Sequence, residues 1–486
     1  MVETHVSVLL FLDDVVLKLK KPVRFPFVDF TSLEARRNAC EEEVRCNRRL
    51  APDVYLGVAE TRLGERPLDY AVVMRRLPAE RNLAEMVRRR DPGLPRALDD
   101  VARCLASFHR GAARSREIDR AGELSAVLDT WDEVVDGLRP YGGVAFEAGA
   151  LDEADRLAQR FLRARGPLFA ERVDAGRICD GHGDILASDV FVLDDGPRVL
   201  DAIEFDPRLR HVDVAADVAF LAMDLERLGV PDEAARFVRR YEEAARDRFP
   251  WSLFHYYCAE RAMVRALVAC LRGAQRGAGV DDRSGADALL TLALDHLRAG
   301  QVVLGVVSGL PGTGKSTLAA GAAELLAWPV LRSDEVRREL TGAAEHGPLV
   351  APLCSGPYAP EQTARTYEEL LRRARVELGL GRSVLLDATF GDDRWRRAVR
   401  ELAEDTSSEL VVVETAMPVP LAAARAEARR RAGAGVSGAG GDVVRSLAAG
   451  HRPWPGAVRI DASGPDPAAA VDRVRSLLRP WAAPVG

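Results

Sequence analysis

Gly309-Leu310-Pro311-Gly312-Thr313-Gly314-Lys315-Ser316 fits the pattern G-x-x-x-x-G-K-[ST], and its surroundings decide how the C-terminal part of the chain folds. The apolar residues 302–307 before it read as a buried strand and residues 317–326 after it as a helix, which is the context a phosphate-binding loop requires. Gly309, Gly312 and Gly314 let the backbone turn tightly and aim its N–H groups inward, where they and the positive end of the helix hold phosphate oxygens. Thr313 and Thr317 belong to the same nucleotide cradle. Lys315 reaches the β- and γ-phosphates, and the Ser316 hydroxyl is a candidate Mg²⁺ ligand.

Working outward, apolar strands at 329–332, 383–387 and 409–415 alternate with helices near 361–379, 393–404, 419–431 and 467–479, which predicts a parallel sheet covered by helices. Asp387 ends the strand 383–387 as a Walker B carboxylate does, so it is a candidate for the Mg²⁺ shell. The strand 329–332 ends at Arg332-Ser333-Asp334, and substrates of parallel sheets bind at strand ends. This half resembles the small-molecule P-loop kinases of the gluconate, shikimate and zeta-toxin type. The resemblance implies Asp334 as the base at the accepting hydroxyl and Arg337 as the substrate clamp; helix capping by Ser333 or Asp334 is the competing reading. Arg425, Arg429, Arg430 and Arg431 precede the glycine-rich AGAGVSGAGG and suit a lid over the phosphates, with Arg429 as the nucleotide-side candidate and a solvated helix face as the alternative.

The N-terminal part has a different order, strands first and then helices. HVSVLLFL and VVLKLKK flank Asp13-Asp14 as a β-hairpin with Val16, Lys18 and Lys20 on one face. A helix with the capping signal Thr31-Ser32-Leu33-Glu34 runs to about Leu50 and carries Glu41, Glu42 and Glu43. A strand at 69–74 leads into Arg75-Arg76-Leu77-Pro78, and residues 93–172 have helical periodicity, with Leu105 and Phe108 facing a core beside His109. Residues 178–214 are loop-rich, 214–271 are helical, 277–285 lack periodicity, and a last helix spans about 286–298. The division falls between domains 1–298 and 299–486.

His182-Gly183-Asp184, with Asp189 five residues on and Asp201 after an apolar run, resembles the kinase arrangement H-R-D-x-x-x-x-N then D-F-G. That resemblance implies Asp184 as the base, Asp189 and Asp201 as metal ligands, and an ion pair of Lys18 with Glu43 that positions the α- and β-phosphates. Together with LASFH at 105–109 and LDAIEFDPRLRHVDVAADVAFLAMDL at 200–225, this half resembles the aminoglycoside and choline kinase-like phosphotransferases. The family implies a two-lobed α+β protein-kinase-like (APH-type) fold with adenine near Met74 to Leu77. Two features depart from its pattern: Asp189 stands where the family has Asn, and no glycine-rich loop precedes Lys18. Acidic residues near Asp184, Glu204 and Asp206 among them, suit a cationic acceptor, or else bind metal or cap turns.

Over its whole length, through ETHVSVLLFLDDVVLKLKKPV, FVDFTSLEARRNACEEEVRCNRRLAPDVYLGV, HGDILASDVFVLDDGPRVLDAIEF and GLPGTGKSTLA, the chain resembles the bacterial bifunctional aminoglycoside phosphotransferase-like/ATP-binding proteins of actinobacterial type. This implies an α/β P-loop NTPase domain behind the kinase-like one, with ATP and Mg²⁺ as cofactors. The implied activity is phosphoryl transfer to a hydroxyl of a sugar, aminosugar or aminocyclitol. Two alternatives share these motifs: a ligand-sensing regulator with a pseudokinase half and slow ATP hydrolysis at the P-loop, and a zeta-like toxin acting on nucleotide sugars.

Composition narrows the setting. The 486 residues carry a formal net charge of -6, so no global basic field points to nucleic acid or an anionic membrane as the main partner. MVETHVSVLLFLDD has acidic residues where a signal peptide needs basic ones, and no stretch approaches the ~20 apolar residues of a membrane span. Seven cysteines without a C-x-x-C pair speak against a disulfide framework or structural zinc and for a cytoplasmic location. The expected partners are a small-molecule acceptor and a nucleotide, and the oligomeric state stays open.

Overall fold

The structure, a computed structural model, describes residues 1–3, 6–25, 28–276, 280–342, 355–432, 439–464 and 466–478. Five antiparallel strands open the chain, in the spatial order Val2–Glu3, Ser7–Phe11, Val15–Lys20, Arg66–Arg75, Tyr55–Leu63. The hairpin register pairs Ser7 with Lys20 and Phe11 with Val16, and the two-residue period buries Val16, Lys18 and Lys20 on one face. Helix Leu33–Asn47 covers that face, and its Cys40 and Val44 pack with Val16, Tyr55, Val72 and Met74. Its cap sits one residue later than the expected box. Asp29 takes both the N–H and the hydroxyl of Thr31, at 3.0 and 2.6 Å, leaving Ser32 to accept from Ala35 N at 3.0 Å.

After Arg66–Arg75 the chain crosses into a helical lobe built from Leu94–Gly111, Leu124–Leu138, Ala148–Arg163, Val214–Arg227, Pro231–Ala245, Trp251–Arg276 and Val280–Ala299 around a core that includes Trp131, Phe220 and Tyr256. The aperiodic stretch expected at 277–285 is corrected in part: 280–285 belong to the helix Val280–Ala299, and 277–279 lie outside the described residues. Ala286, Leu289, Leu290 and Ala293 anchor this helix in the core, and such packing carries a helix through a first turn whose own pattern is weak.

Helical packing gives way to α/β packing between Ala299 and Val303. Five parallel strands follow in the spatial order Val330–Arg332, Val384–Asp387, Val303–Ser308, Glu409–Ala416, Val458–Asp461. Helices Lys315–Leu326 and Ala468–Leu478 bury one face of this sheet, and Pro360–Gly379 and Asp393–Asp405 bury the other. The architecture is thus a two-lobed α+β protein-kinase-like domain followed by an α/β P-loop domain with a parallel sheet. The two halves touch directly: Arg165 Nη1 donates to Thr406 O at 2.7 Å, Ser252 Oγ donates to Gly381 O at 2.7 Å, and Arg160 pairs with Glu409. Among the described residues no helix is long and apolar enough to cross a membrane.

Near this junction His255 Nδ1 lies 2.8 Å from His296 Nδ1, and His296 Nε2 lies 3.1 Å from Glu226. Burial, helped by the neighbouring His296, pulls the His255 imidazole down to about 3. A histidine buried neutral adds stability that is fully present above its unfolded value of about 6.5 and is lost as pH falls through the window between the two. The expected loss below pH 6.5 is about 1.4 kcal/mol per pH unit, flattened in His255→Phe, and urea midpoints measured at pH 7.5, 6 and 5 check it.

Candidate active sites

Three separate segments converge in the N-terminal half. Lys18 Nζ lies 2.7 Å from Glu43 Oε1 and 2.5 Å from Asp201 Oδ1, joining strand, helix and the loop after Gly196–Val199. Lys20, two residues along the same face, reaches Glu43 Oε2 at 2.6 Å and also pairs with Glu204. Glu43 therefore bridges both lysines. Burial works against every charge here, but the groups compensate one another: the two ammoniums hold Glu43 below its ordinary range, Lys18 holds Asp201 down, and the carboxylates raise both lysines. Glu43→Gln leaves both lysines buried with Asp201 and Glu204 still in place. The expected loss is therefore near the lower end for a broken buried pair, about 3 kcal/mol, read as a lowered urea midpoint.

Asp201 has φ 66, a left-handed conformation that a non-glycine residue adopts only when held. The Tyr55 hydroxyl accepts from Asp201 N at 3.1 Å and Asn47 Oδ1 accepts from Ala202 N at 2.8 Å, which together hold it. The loop carrying Asp184 is fixed from beneath. Asp217 accepts from His182 N at 2.7 Å and Gly183 N at 2.8 Å and bonds His109 Nε2 at 3.2 Å, while His109 Nδ1 meets the Tyr241 hydroxyl at 2.7 Å. Burial pushes the Asp217 carboxyl upward, but these bonds hold it down at about 2. Gly183 sits at φ 93 with a would-be Cβ only 2.7 Å from Leu209 O, so no other residue fits. Further along the helix from Asp217, Asp224 accepts from Ala187 N at 2.9 Å and steadies the segment leading to Asp189.

Asp217 and Asp224 fall within the stretch 200–225 but receive no role from it, Tyr55 carries no motif, and Lys20 stands out only as a neighbour of Lys18 on one strand face. The two aspartates do leave a signal: charged groups inside VAADVAFLAMDL, a helix otherwise apolar on every side, have to be paired.

His182 donates through Nε2 to Leu200 O at 2.9 Å and accepts from Asp184 N at 3.3 Å, a neutral tautomer that suits burial lowering its proton affinity. Asp184 is raised by burial, with Arg265, whose Nη1 is 3.5 Å from Asp184 Oδ2, pulling the other way. Asp184 Oδ1 is buried and has no hydrogen-bond partner among the described residues. Asp189 is raised well above the carboxylate range by burial and by the charges of Asp201 and Asp184. Among the described residues no three His, Cys, Asp or Glu side chains converge closely enough to hold a metal. Asp189 and Asp201 remain a pair of hard oxygen donors, the kind Mg²⁺ uses when waters and phosphates complete its shell.

Of the readings open for the acidic residues near Asp184, turn-capping holds for Asp206, and Glu204 is held by an ion pair. Glu204 is taken by Lys20, and Asp206 caps the turn Pro207–Arg210 through Arg208 N at 3.0 Å and binds the Arg208 guanidinium at 2.7 Å. Cys40 and Cys46, both buried, have thiols pushed up to about 12 and about 11 by burial and carry no reactive thiolate at neutral pH. Cys354 lies outside the described residues.

In the C-terminal half the loop 309–316 has Gly309, Gly312 and Gly314 at φ 137, 84 and 90. A Cβ on Gly312 would lie 2.2 Å from Ala422 O, so the loop seats against the helix Val419–Arg431 only with glycine there. Thr313 Oγ1 bonds Leu310 O at 2.7 Å and Thr415 Oγ1 at 2.6 Å, turned towards the sheet, and Lys315 Nζ rests on Leu310 O at 2.9 Å. Burial lowers the Lys315 ammonium, against the pull of Asp387 and Asp334. Burial raises the Asp387 carboxyl, which bonds the Ser316 hydroxyl and has Arg332 Nε 3.8 Å away. Thr317 lies in the first turn of Lys315–Leu326 and is exposed.

Arg332, not Ser333 or Asp334, occupies the cap position of helix Ser333–Thr341 and makes no side-chain cap bond, so the capping reading of those two residues does not hold. Asp334 instead accepts from Arg337 Nη1 at 2.8 Å, and the Arg337 guanidinium stacks 4.8 Å from the Tyr358 ring. Of the candidate lid arginines, Arg430 and Arg431 pair with Glu427 at 2.6 and 3.1 Å, and Arg425 donates to Ala462 O at 3.0 Å. Arg429 is the one whose charge acts on Lys315, and its buried Nε makes no hydrogen bond among the described residues. Residues 433–438 of the glycine hinge lie outside the described residues.

A protein-family model described as an AAA domain matches residues 304–453. The uncharacterized protein Rv2004c of Mycobacterium tuberculosis is 40% identical over 470 residues, 95% of this chain and 92% of that protein, and the uncharacterized protein Mb2027c of Mycobacterium bovis matches to the same extent. Among solved structures, a choline/ethanolamine kinase family protein from Mesorhizobium loti covers 61% of this chain and 90% of its own at 15% identity and TM-score 0.38. A gluconokinase from Sinorhizobium meliloti 1021 covers 37% of this chain and 96% of its own at 19% identity and TM-score 0.25.

Proposed function

The chain belongs to one family with the uncharacterized mycobacterial proteins Rv2004c and Mb2027c, and we propose that it is an Mg-ATP-dependent phosphotransferase acting on a hydroxyl of a small molecule. The observation that carries this reading is the convergence of Lys18, Glu43 and Asp201 within 2.5–2.7 Å, on the same site as the half-buried carboxylates Asp184 and Asp189. In this reading Lys18 meets the α- and β-phosphates and Asp184 receives the proton of the accepting hydroxyl. Asp189 and Asp201 would hold Mg²⁺ in this half, and Ser316 and Asp387 in the other. When bound, the ion neutralises charge on the phosphates.

The P-loop half supports the same class of chemistry. In this reading Lys315 within the phosphate loop and Arg429 beside it meet the phosphates, with Asp334 as base and Arg337 as clamp at the strand end. A sugar, aminosugar or aminocyclitol is the proposed acceptor type, and the cytoplasm the proposed location.

A second reading, a nucleotide-dependent regulator with a pseudokinase half, is favoured by the hairpin tip. Asp13 and Asp14 are exposed there, with Arg76 donating to Leu12 O at 3.1 Å, in place of a loop that covers phosphates. Mg-ATP turnover against a panel of aminoglycosides, aminosugars and sugars separates the two, run on wild type, Asp184→Ala and Lys315→Ala. Acceptor-stimulated ADP release lost with Asp184→Ala supports transfer in the first half. Slow, acceptor-independent hydrolysis lost only with Lys315→Ala supports the regulator.

A further inference from the structure

The carboxylates that could receive a cationic acceptor beside Asp184 are already engaged, Glu204 by Lys20 and Asp206 by Arg208. Helix Trp251–Arg276 brings the opposite charge to the same place. Arg261 and Arg265 are four residues apart and so share a helix face, with Arg265 Nη1 3.5 Å from Asp184 Oδ2. Both guanidiniums act on the Asp184 carboxyl, lowering it against burial.

Arg261 is poorly neutralised. Its guanidinium lies over the Phe220 ring at 5.3 Å, its buried Nε has no hydrogen-bond partner among the described residues, and the carboxylate beside it, Glu260, stands 3.5 Å away. Burial raises the Glu260 carboxyl, which weakens that pairing further. Two guanidiniums on one face, one with an unpartnered Nε and the other 3.5 Å from the base, form a fork suited to an oxyanion.

We infer that the acceptor phosphorylated at Asp184 carries an anionic group, a carboxylate or a phosphate, close to its hydroxyl, and that Arg261 and Arg265 receive it. The inference rests on the phosphotransferase reading. In the step, Asp184 takes the hydroxyl proton and the acceptor oxygen bonds the γ-phosphorus. The bond from that phosphorus to the β–γ bridging oxygen breaks, ADP leaves with the electron pair, and the proton passes from Asp184 to solvent.

The test compares glucose, glucosamine, gluconate and glucose 6-phosphate as acceptors with Mg-ATP, on wild type, Arg261→Gln, Arg265→Gln and the charge-keeping Arg261→Lys. Calorimetry of the same four compounds on protein saturated with a non-hydrolysable ATP analogue reads binding independently of transfer. Expected is binding and turnover of an anionic member at least tenfold above glucose and glucosamine, with gluconate against glucose 6-phosphate telling carboxylate from phosphate. Each Gln variant should raise its KM at least tenfold with the KM for ATP little changed, and Arg261→Lys should recover part of the loss.

If Arg265 only balances the charge of Asp184, Arg265→Gln moves the acid limb of the pH profile and leaves the KM for the anion alone, which overturns the inference. Equal use of glucose or glucosamine, or no binding of either anion, also overturns it. Failure of the phosphotransferase reading looks different: arginine-dependent binding of an anion with no ADP released, which leaves the anion site standing without transfer.

Discussion

Asp184→Asn lowers kcat for acceptor phosphorylation about 10³-fold, within the range expected of a lost general base, while ATP binding at the first site stays within about threefold of wild type. The separation follows from the geometry. Lys18, the proposed nucleotide-holding group, pairs with both Glu43 and Asp201, while Asp184 Oδ1 is buried without a hydrogen-bond partner among the described residues. Asn keeps the shape and removes the basic oxygen. The wild-type rate has a matching pH signature. Burial raises the Asp184 carboxyl above the ordinary range, and the ionised form is the one that accepts a proton, so kcat/KM falls as pH drops through that raised value. The acid limb therefore lies above that of a solvated aspartate, and the limb disappears in Asp184→Asn. A variant that keeps both rate and limb removes Asp184 as the base.

How much of a site is legible in the sequence depends on whether its role lies in one contiguous stretch. The phosphate loop does: eight consecutive residues hold the glycines, Lys315 and Ser316, and the strand and helix around them follow from the apolar pattern. In the N-terminal half, the two-residue strand period alone puts Lys18 and Lys20 on one face. It does not reveal that Glu43 divides its two oxygens between them, because that depends on how helix Leu33–Asn47 is set on the sheet. Arg261 and Arg265 are hidden in the sequence for the same reason. They lie far beyond Asp184 in a long helix, and only the packing of that helix brings Arg265 to the loop carrying Asp184.

Two strands that leave no clear pattern and one shifted cap each have a local cause. Strand Tyr55–Leu63 carries Glu60, Thr61 and Arg62 and sits at a sheet edge, where one side of its backbone needs no partner and its alternation is weak. Strand Val458–Asp461 is four residues long and also at an edge. The cap of helix Leu33–Asn47 falls one residue later than its motif because Asp29 competes for Thr31, a contact that no helix-start pattern includes.

Lys315→Ala removes nucleotide binding at the second site, weakening it at least about 10²-fold, and leaves the folded state as stable as before. Each hydrogen bond from a charged donor is worth about 1.5–3 kcal/mol, and two phosphates lose one each, which gives at least that factor. The stability claim comes from what Lys315 does without phosphate. Its half-buried ammonium rests on the Leu310 carbonyl at 2.9 Å and has its proton affinity lowered by desolvation, so the fold gains little from keeping a charge there. Asp387 answers in the opposite sense. Lys315 is the largest influence holding the Asp387 carboxyl down against burial, and without it the carboxyl rises further and becomes a poorer Mg²⁺ donor, which compounds the loss. Calorimetric titration with a non-hydrolysable ATP analogue checks this directly: two sites per chain in wild type and one in Lys315→Ala, with an unchanged urea midpoint. Two sites retained would remove the phosphate role from Lys315, and a lowered midpoint would make the lysine structural.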